Sequence, residues 1–336
     1  MEELKVGIIG LGVGEKHIAS YNLHRSCKVV ALCDFRNEKL AEMARKYPDM
    51  FVTKHSGEII NDPLIKVVSI TGFDNYHYEQ VMAALRSGKH VMVEKPLCLN
   101  FQEAEDIRNL LDEHPGLKLS SNLVLRTCPR FMRIRNAVRS GEMGRIFYIE
   151  GDYLWGRIHK LTEGWRKDMD FYSIVSGAAI HMIDLILWMV EMRPLEVTAY
   201  GNRIATDDSS LQYNSFAAIL MQFKDGSIAK VTANGGSVYP HFHRLAVFGT
   251  KKTAVHDREG SKWIESSDPS VVSSDMAEGY PAKKERCKVI TSFVDSILDS
   301  DIQPIVSCND AFDTMSVCFA VEDAMRKAKA IKVNYL

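Results

Sequence analysis

The chain has 336 residues and a formal net charge of -1, with 46% hydrophobic and 25% charged residues. This balance lacks the basic footprint of a nucleic-acid-binding protein, and no apolar run is long enough to cross a membrane, so we expect neither partner. The length exceeds that at which one core usually keeps growing, which predicts two domains.

The first part of the chain, residues 1–122, alternates short apolar runs with amphipathic stretches, the pattern of a parallel sheet covered by helices. The predicted strands are Leu4–Gly10, Lys28–Asp34, Lys66–Thr71, Lys89–Val93 and Leu117–Ser121. Helix starts are indicated by Asn37, Asn75 and Asn100, the last with Glu103 as a capping box, and Gly88 indicates a helix end. Residues 1–122 are therefore predicted to form an α/β domain.

The pattern changes in the remaining residues, 123–336, which we assign to a second domain. A basic helix is predicted from Pro129 to Gly141, and Asp225 with Gly226 predicts a hairpin turn. Further strands are predicted over 146–155, 195–204, 213–223, 227–234, 243–249 and 252–256, and helices over 283–299 and 309–328. This predicts an α+β domain with a large, mainly antiparallel open sheet, in which the polar run 260–279 is a mobile loop.

A glycine-rich turn between the first strand and helix indicates a nucleotide site. Gly10, Gly12 and Gly14 leave bare backbone where a pyrophosphate approaches a helix start, although the third glycine is one position early for the usual fingerprint. Asp34 ends the second strand, where a carboxylate binds the adenosine ribose and repels a ribose phosphate, which favours NAD over NADP. Arg36 keeps NADP use open. The alternative is a plain turn in which Asp34 caps the next helix.

These features, together with the segments 75–77 and 88–97, resemble the Gfo/Idh/MocA family of oxidoreductases. The likeness continues through the segments 126–129, 141–145 and 181–184. It implies a Rossmann NAD(P)-binding domain over residues 1–122 and a substrate-binding, oligomerising domain over 123–336, with NAD as cofactor and NADP use open. The residues then expected to bind the cofactor are Gly10, Gly12, Val13, Gly14, Asp34, Phe35, Arg36, Thr71, Gly72, Asn75, His77, Glu94 and Lys95.

The tripeptide Glu94-Lys95-Pro96 is the most specific element of the resemblance. The family likeness implies that Lys95 bridges the nicotinamide ribose and the reacting hydroxyl, that Glu94 positions the cofactor region, and that Pro96 holds Lys95 through a cis peptide. An ammonium beside a reacting oxygen stabilises developing alkoxide charge, which agrees with the first role. The alternative is a solvent-facing lysine at a strand end.

A histidine on an apolar helix is the second candidate catalytic residue. His181 needs a polar partner or a substrate there, and Asp184 lies on its face, where it would orient the imidazole as a general base. The alternative is a buried histidine satisfied by the core. Many relatives carry an aspartate four residues before this histidine, where this chain has Gly177. We expect Tyr172 to be a substitute donor.

The segment from Trp155 to Arg166 combines aromatic rings and cations, which suits a sugar plane and an acidic group. Arg157 and Trp165 are therefore candidate substrate-binding residues, together with Tyr172 and Asp184. A loop that packs against a partner subunit is the alternative. His241 and His243 share a strand face but lack a third ligand, so we expect pocket-wall or surface residues and no metal site.

The leading hypothesis is an NAD(P)-dependent dehydrogenase acting on a hydroxyl of a sugar, cyclitol or nucleotide-linked sugar. Two alternatives stay open: a noncatalytic NAD(P)-binding sugar sensor, and a glycosidase that retains its NAD. An exposed face of the second-domain sheet, as in relatives, predicts a homodimer or homotetramer. The amino terminus lacks a secretory signal and the seven cysteines form no Cys-x-x-Cys pair, which together predict a cytoplasmic protein with reduced thiols.

Overall fold

The computed structural model describes residues 3–336, and its chain divides into two compact units. One unit contains residues 3–127, Lys284–Phe312 and Leu336; the other contains Cys128–Lys283 and Asp313–Tyr335. The predicted boundary after residue 122 therefore lies close to the first crossing between units. The predicted extent of the second domain, 123–336, is corrected, because Lys284–Phe312 belong with the first unit.

The elements are numbered in chain order. The strands are β1 Leu4–Ile9, β2 Cys27–Cys33, β3 Phe51–Thr53, β4 Ile65–Ile70, β5 His90–Val93, β6 Leu119–Ser121, β7 Ile146–Leu154, β8 Pro194–Asn202, β9 Phe216–Phe223, β10 Ile228–Asn234, β11 Phe242–Gly249, β12 Thr253–Asp257, β13 Gly260–Ile264, β14 Ser274–Asp275 and β15 Ile331–Lys332. The α-helices are α1 Gly14–Asn22, α2 Asn37–Lys46, α3 Ser56–Ile60, α4 His77–Arg86, α5 Phe101–Glu113, α6 Pro129–Arg139, α7 His159–Thr162, α8 Ile180–Val190, α9 Cys287–Leu298 and α10 Cys308–Lys327.

The first unit is built on a parallel sheet with the strand order β3-β2-β1-β4-β5-β6. This is the doubly wound order of a dinucleotide-binding domain, in which ligands bind beyond the carboxyl ends of the strands. The predicted α/β class is confirmed. Sequence analysis missed β3, which is short and begins at the exposed Phe51.

Helices begin at or near the three predicted starts, but of these only Asn100 forms a side-chain cap: Asn37 is the first residue of α2, and Asn75 lies in a short 3-10 helix before α4. The Asn100 side chain accepts a hydrogen bond from the Glu103 backbone N–H at 3.0 Å, and the Glu103 carboxylate accepts one from the Leu99 N–H at 2.7 Å. Gly88 follows α4 with φ of 70°, a conformation that glycine adopts without strain. These local contacts fix the ends of α4 and α5.

The segment Lys284–Phe312 packs with the first unit because its polar contacts lie there. The Asp295 carboxylate of α9 lies 3.0 Å from His24 Nε2, and the Val306 carbonyl accepts a hydrogen bond from Ser120 Oγ at 2.8 Å. Asp310 and the buried Arg126 form an ion pair at 3.0 Å. Such long-range contacts carry no local signal in the sequence.

The second unit is built on a sheet with the strand order β14-β13-β12-β11-β7-β10-β9-β8-β15, in which β7 and β10 pair in parallel and the other neighbours are antiparallel. This confirms the predicted large, mainly antiparallel sheet.

Gly226 has φ of 87° in the predicted hairpin between β9 and β10. The predicted mobile loop 260–279 is wrong over β13 and β14, since Trp263 pairs with Ser274 and is buried. Within residues 3–336, no helix has both the length and the apolarity to span a bilayer.

Candidate functional site

The glycine turn at the end of β1 has the form that a pyrophosphate site requires. Gly10 has φ of 91°, and a Cβ there would lie 2.6 Å from the Gly72 nitrogen. A Cβ on Gly14 would meet Thr71 Oγ1, whereas Gly12 is exposed and has open space around its Cα. Gly10 and Gly14 are thus needed for close packing, and Gly12 leaves room for a ligand. The early third glycine fits because it packs α1 against Thr71.

The carboxylate of Asp34 lies beside this turn. It accepts hydrogen bonds from the Leu11 backbone N–H at 2.8 Å and from Nε and Nη2 of Arg36, each at 2.9 Å. Burial raises the pKa of Asp34, but the bonds from Arg36 and Leu11 outweigh burial, so the pKa lies below its usual value. The Asp34 carboxylate is therefore an anion. A ribose phosphate bound beside it would also meet the Arg36 cation.

Side chains at this edge of the sheet offer an exposed apolar surface. Phe35 is 64% exposed, its ring meets Phe73 edge-on at 5.6 Å, and the Arg36 guanidinium lies 5.7 Å from its centroid. Val13 is 49% exposed and Asn75 is exposed in a short 3-10 helix, Asp74–Tyr76. The arrangement suits the flat face of an adenine.

The Glu94-Lys95-Pro96 tripeptide follows β5 at the same sheet edge. The Glu94 backbone N–H donates to the Ile70 carbonyl at 2.8 Å, and the Lys95–Pro96 peptide is cis, as the resemblance implied. His77 is fully buried, and its Nδ1 lies 2.7 Å from the Pro96 carbonyl. His77 thus supports the tripeptide backbone through Nδ1, and its contact with the cofactor stays a prediction.

A polar network that sequence analysis missed holds the Glu94 carboxylate. Glu94 Oε1 accepts a hydrogen bond from Asn122 Nδ2 at 2.6 Å and lies 3.2 Å from His17 Nε2, while His17 Nδ1 lies 2.9 Å from Ser69 Oγ. Burial raises the pKa of Glu94, but His17, Asn122 and the charge of Lys95 outweigh it, so the pKa is lowered. The tripeptide thus carries a fixed anion next to Lys95. The one feature of the sequence that could have indicated this network is a histidine, His17, on the buried face of α1.

In the second unit, His181 lies in the first turn of α8, directly after a π-helix over Val175–Ala179. Its half-buried ring stacks on Tyr153 of β7 with centroids 5.7 Å apart and an interplanar angle of 11°. This contact fixes the plane of the imidazole. Asp184 is 1% exposed, and its Oδ1 accepts a hydrogen bond from Thr314 of α10 at 3.4 Å. The Asp184 carboxylate therefore has a hydrogen-bond donor inside the core.

Further imidazoles surround Tyr153. The ring centroids of His241 and His243 lie 5.3 and 4.9 Å from that of Tyr153, and His243 Nδ1 lies 2.7 Å from the Tyr280 hydroxyl. The structure therefore groups both histidines with Tyr153 and His181. Among the described residues, no group of three or more His, Cys, Asp or Glu side chains is arranged to hold a metal ion.

The two arginines of the aromatic and basic segment before α8 differ in their burial and contacts. Arg157 is exposed, whereas Arg166 is half-buried with its guanidinium carbon 4.3 Å from the Trp165 ring centroid and 5.3 Å from that of Trp155. The Tyr172 centroid lies 6.0 Å from the same carbon. Arg157 and Trp165 were chosen from the sequence as candidates, but the fixed cation of this segment is Arg166.

Comparison with known proteins agrees with both units. A family model described as an oxidoreductase family with an NAD-binding Rossmann fold matches residues 4–122, and a model of the Gfo/Idh/MocA C-terminal domain matches residues 131–255. The chain belongs to the Gfo/Idh/MocA family. As a member, it belongs to an oxidoreductase family whose first domain is an NAD-binding Rossmann fold.

Relatives of this Gfo/Idh/MocA protein match along its whole length. An uncharacterized oxidoreductase of Bacillus subtilis, YrbE, is 23% identical over 99% of this chain and 98% of its own. The myo-inositol 2-dehydrogenase of Thermotoga maritima is 22% identical over 98% and 99%, respectively. A crystal structure of scyllo-inositol dehydrogenase from Lactobacillus casei, with NAD(H) and scyllo-inositol bound, superposes with a TM-score of 0.81 at 21% identity and covers 99% of each chain.

The departure of this chain from the Gfo/Idh/MocA pattern at Gly177 has a structural counterpart. A Cβ at Gly177 would meet the Tyr172 hydroxyl and would lie 3.0 Å from its Cζ. Tyr172 is 2% exposed, so its ring fills the space that a side chain at position 177 would take. The phenol of Tyr172 therefore lies beside position 177, four residues before His181, where the family resemblance implied a carboxylate.

Proposed function

We propose that this protein transfers a hydride between NAD and the CH–OH carbon of a sugar, cyclitol or nucleotide-linked sugar, with Lys95 and His181 as the catalytic pair. The observation that carries the proposal is the fixed Glu94-Lys95-Pro96 tripeptide at the same sheet edge as the glycine turn. The names of relatives that act on myo-inositol and scyllo-inositol support the substrate class.

The proposed roles follow from the chemistry of each side chain. Bound NAD supplies the hydride acceptor. The Lys95 ammonium, beside the carboxylate of Glu94, stabilises negative charge as the substrate hydroxyl loses its proton. The His181 imidazole, held in plane by Tyr153, takes that proton as general base. Gly10 and Gly12 would hold the cofactor through bare backbone, and Asp34 would bind its ribose.

A substrate panel tests the proposal. The purified protein would be mixed with NAD or NADP and with sugars, inositols and uridine or thymidine diphosphate sugars, and reduced cofactor would be followed by absorbance. At least one compound should give net NADH production. Product release without accumulation of NADH would favour the glycosidase with a retained cofactor. Absence of any reaction, with NAD still bound, would favour the noncatalytic sensor.

Cofactor preference is expected to depend on Asp34. Replacing it with serine should raise KM for NAD by roughly 10- to 100-fold, because a charged hydrogen bond to the ribose is lost. KM for NADP should stay constant or fall, since the repulsive carboxylate is gone and the Arg36 guanidinium is released from its 2.9 Å contacts. Steady-state kinetics with both cofactors measures the shift. As a control, Arg36→Gln should weaken NADP use and leave KM for NAD within about threefold. An unchanged preference in Asp34→Ser would contradict the assignment.

Self-association through the second-unit sheet also remains a proposal. Tyr200 of β8 and Leu220 of β9 are 69% and 50% exposed on one face of the sheet. Leu220→Glu should therefore lower the mass found by size-exclusion chromatography with light scattering from a dimer or tetramer to that of a smaller species. Lys224→Glu, which changes an exposed turn residue, should leave the mass unchanged. A monomeric wild type would remove this proposal.

A further inference from the structure

Arg166 has the surroundings of a binding group. It lies in the short 3-10 helix Trp165–Asp168, half-buried, and the ring centroids of Trp165, Trp155 and Tyr172 lie 4.3, 5.3 and 6.0 Å from its guanidinium carbon. Trp155 and Tyr172 are themselves 6% and 2% exposed. Contact with ring faces favours a cation and restricts the orientation of its planar group.

Within residues 3–336, the N–H groups of this guanidinium form no hydrogen bond or ion pair. Other arginines of the same chain have carboxylate partners, such as Arg126 with Asp310 at 3.0 Å and Arg193 with Asp313 at 2.7 Å. A guanidinium whose N–H groups have no partner in the protein can bind a carboxylate or phosphate through two parallel hydrogen bonds.

The position of Arg166 connects it to the proposed catalytic helix. Tyr172, one of its ring contacts, fills the space at Gly177, four residues before His181. Trp155, another contact, lies 6.4 Å from Tyr153, and Tyr153 stacks on His181. Each link is neutral and aromatic. Arg166 and His181 therefore belong to one aromatic cluster.

We propose that Arg166 binds an oxyanion of the substrate, so that the substrate is an acidic sugar or cyclitol carrying a carboxylate or a phosphate. This proposal rests on the proposed function, because it places the acidic group on the molecule that His181 deprotonates. It narrows the substrate class from polyols in general to polyols with an anionic substituent. Arg157, which is exposed, is not part of this subsite.

Equilibrium binding tests the subsite without requiring turnover. The NADH-loaded protein would be titrated by calorimetry with D-glucuronate, D-galacturonate, D-glucose 1-phosphate and D-glucose 6-phosphate, and with neutral D-glucose and D-galactose. At least one acidic sugar should bind roughly 10- to 100-fold more tightly than its neutral counterpart, as expected for a bidentate charged contact. The uronates and the phosphates distinguish a carboxylate from a phosphate substrate.

Variants at position 166 then identify the group responsible. Arg166→Gln should abolish the preference for the acidic sugar, and Arg166→Lys should retain part of it, because charge remains without the planar fork. Lys167→Gln, which removes the adjacent cation, should keep the full preference. NADH affinity and the thermal unfolding midpoint should be unchanged in all three variants, which shows that both units are folded.

The outcomes separate this proposal from the proposed function. Acidic-sugar binding that depends on Arg166 supports the subsite even if no compound is turned over. Equal binding of acidic and neutral sugars, no binding of any acidic sugar, or a preference that survives in Arg166→Gln would each overturn it, while turnover of neutral sugars would leave the dehydrogenase assignment intact. A change in oligomeric mass in Arg166→Gln without a change in sugar binding would likewise overturn it and assign the segment to a subunit contact.

Discussion

Replacing Lys95 with methionine should lower turnover by roughly 10²- to 10⁴-fold and leave NAD binding within about threefold of the wild type. Methionine keeps much of the side-chain length and apolar stem and removes the charge. The physical reason is that the ammonium acts on an oxygen whose negative charge develops only in the transition state, so its loss lowers kcat more than it weakens ground-state binding. Single-turnover absorbance of NADH and fluorescence titration of NADH give the two quantities.

Two further variants are the controls for that experiment. Lys118→Met removes a lysine before β6, at the amino end of the sheet, and should leave turnover unchanged. Lys95→Arg keeps the charge but changes its position, and it should restore little activity. Turnover near the wild-type value in Lys95→Met would contradict the catalytic role and return the residue to a solvent-facing lysine at a strand end.

The network under Lys95 explains why a charged tripeptide stays ordered at a sheet edge. Glu94 would be costly to bury alone, but Asn122 donates to it at 2.6 Å and His17 lies at 3.2 Å. His77 binds the Pro96 carbonyl, and thus both residues flanking Lys95 in the chain are held by buried polar partners. We infer that His17 and His77 are positioning residues, which act on Lys95 through its neighbours.

Features with a local physical cause could be predicted from the sequence. Gly88 and Gly226 adopt positive φ, and the Asn100 cap forms. The predicted alternation of strands and helices along the chain gives the parallel sheet. The position of Asp34 at the end of β2 follows from the same alternation. In each case a few adjacent residues determine the conformation, so the pattern is readable without knowledge of the fold.

Features that depend on contacts between distant residues could not be predicted. Nothing near Lys284–Phe312 in the sequence indicates that Asp295 meets His24 or that Val306 meets Ser120. The same holds for His17 and Glu94, which are 77 residues apart. It holds also for His77, whose Nδ1 meets the carbonyl of Pro96, 19 residues further along the chain.

The structure also changes the interpretation of Gly177. From the sequence alone, glycine there signals a missing carboxylate. In the fold, the Tyr172 ring fills the space beside Gly177. The same ring also lies next to the Arg166 guanidinium. Replacement of an acid by a neutral ring beside a cation makes the local charge more positive. In our proposal, this charge favours an anionic substrate, and His181 itself accepts the proton.

The second large effect is therefore expected at His181. Replacing it with asparagine should lower turnover by roughly 10²- to 10⁴-fold, because the amide keeps hydrogen bonding and polarity but accepts no proton from a substrate hydroxyl. NADH affinity and the thermal unfolding midpoint should stay close to the wild type, since the half-buried imidazole has one face against Tyr153 and is not a large part of the core. His159→Asn, at an exposed histidine of α7, is the matched control and should be fully active.

The pattern of kinetic constants distinguishes a base from a structural group at this position. Loss of a base lowers kcat and kcat/KM together, whereas loss of packing would change unfolding and KM as well. If His181→Asn kept its activity, the proton would have to leave through another group, and the candidates are His241 and His243 beside Tyr153 and the Tyr280 hydroxyl bound to His243. A double replacement of His181 and His243 would then lower turnover where the single one had not, which locates the acceptor within the same aromatic cluster.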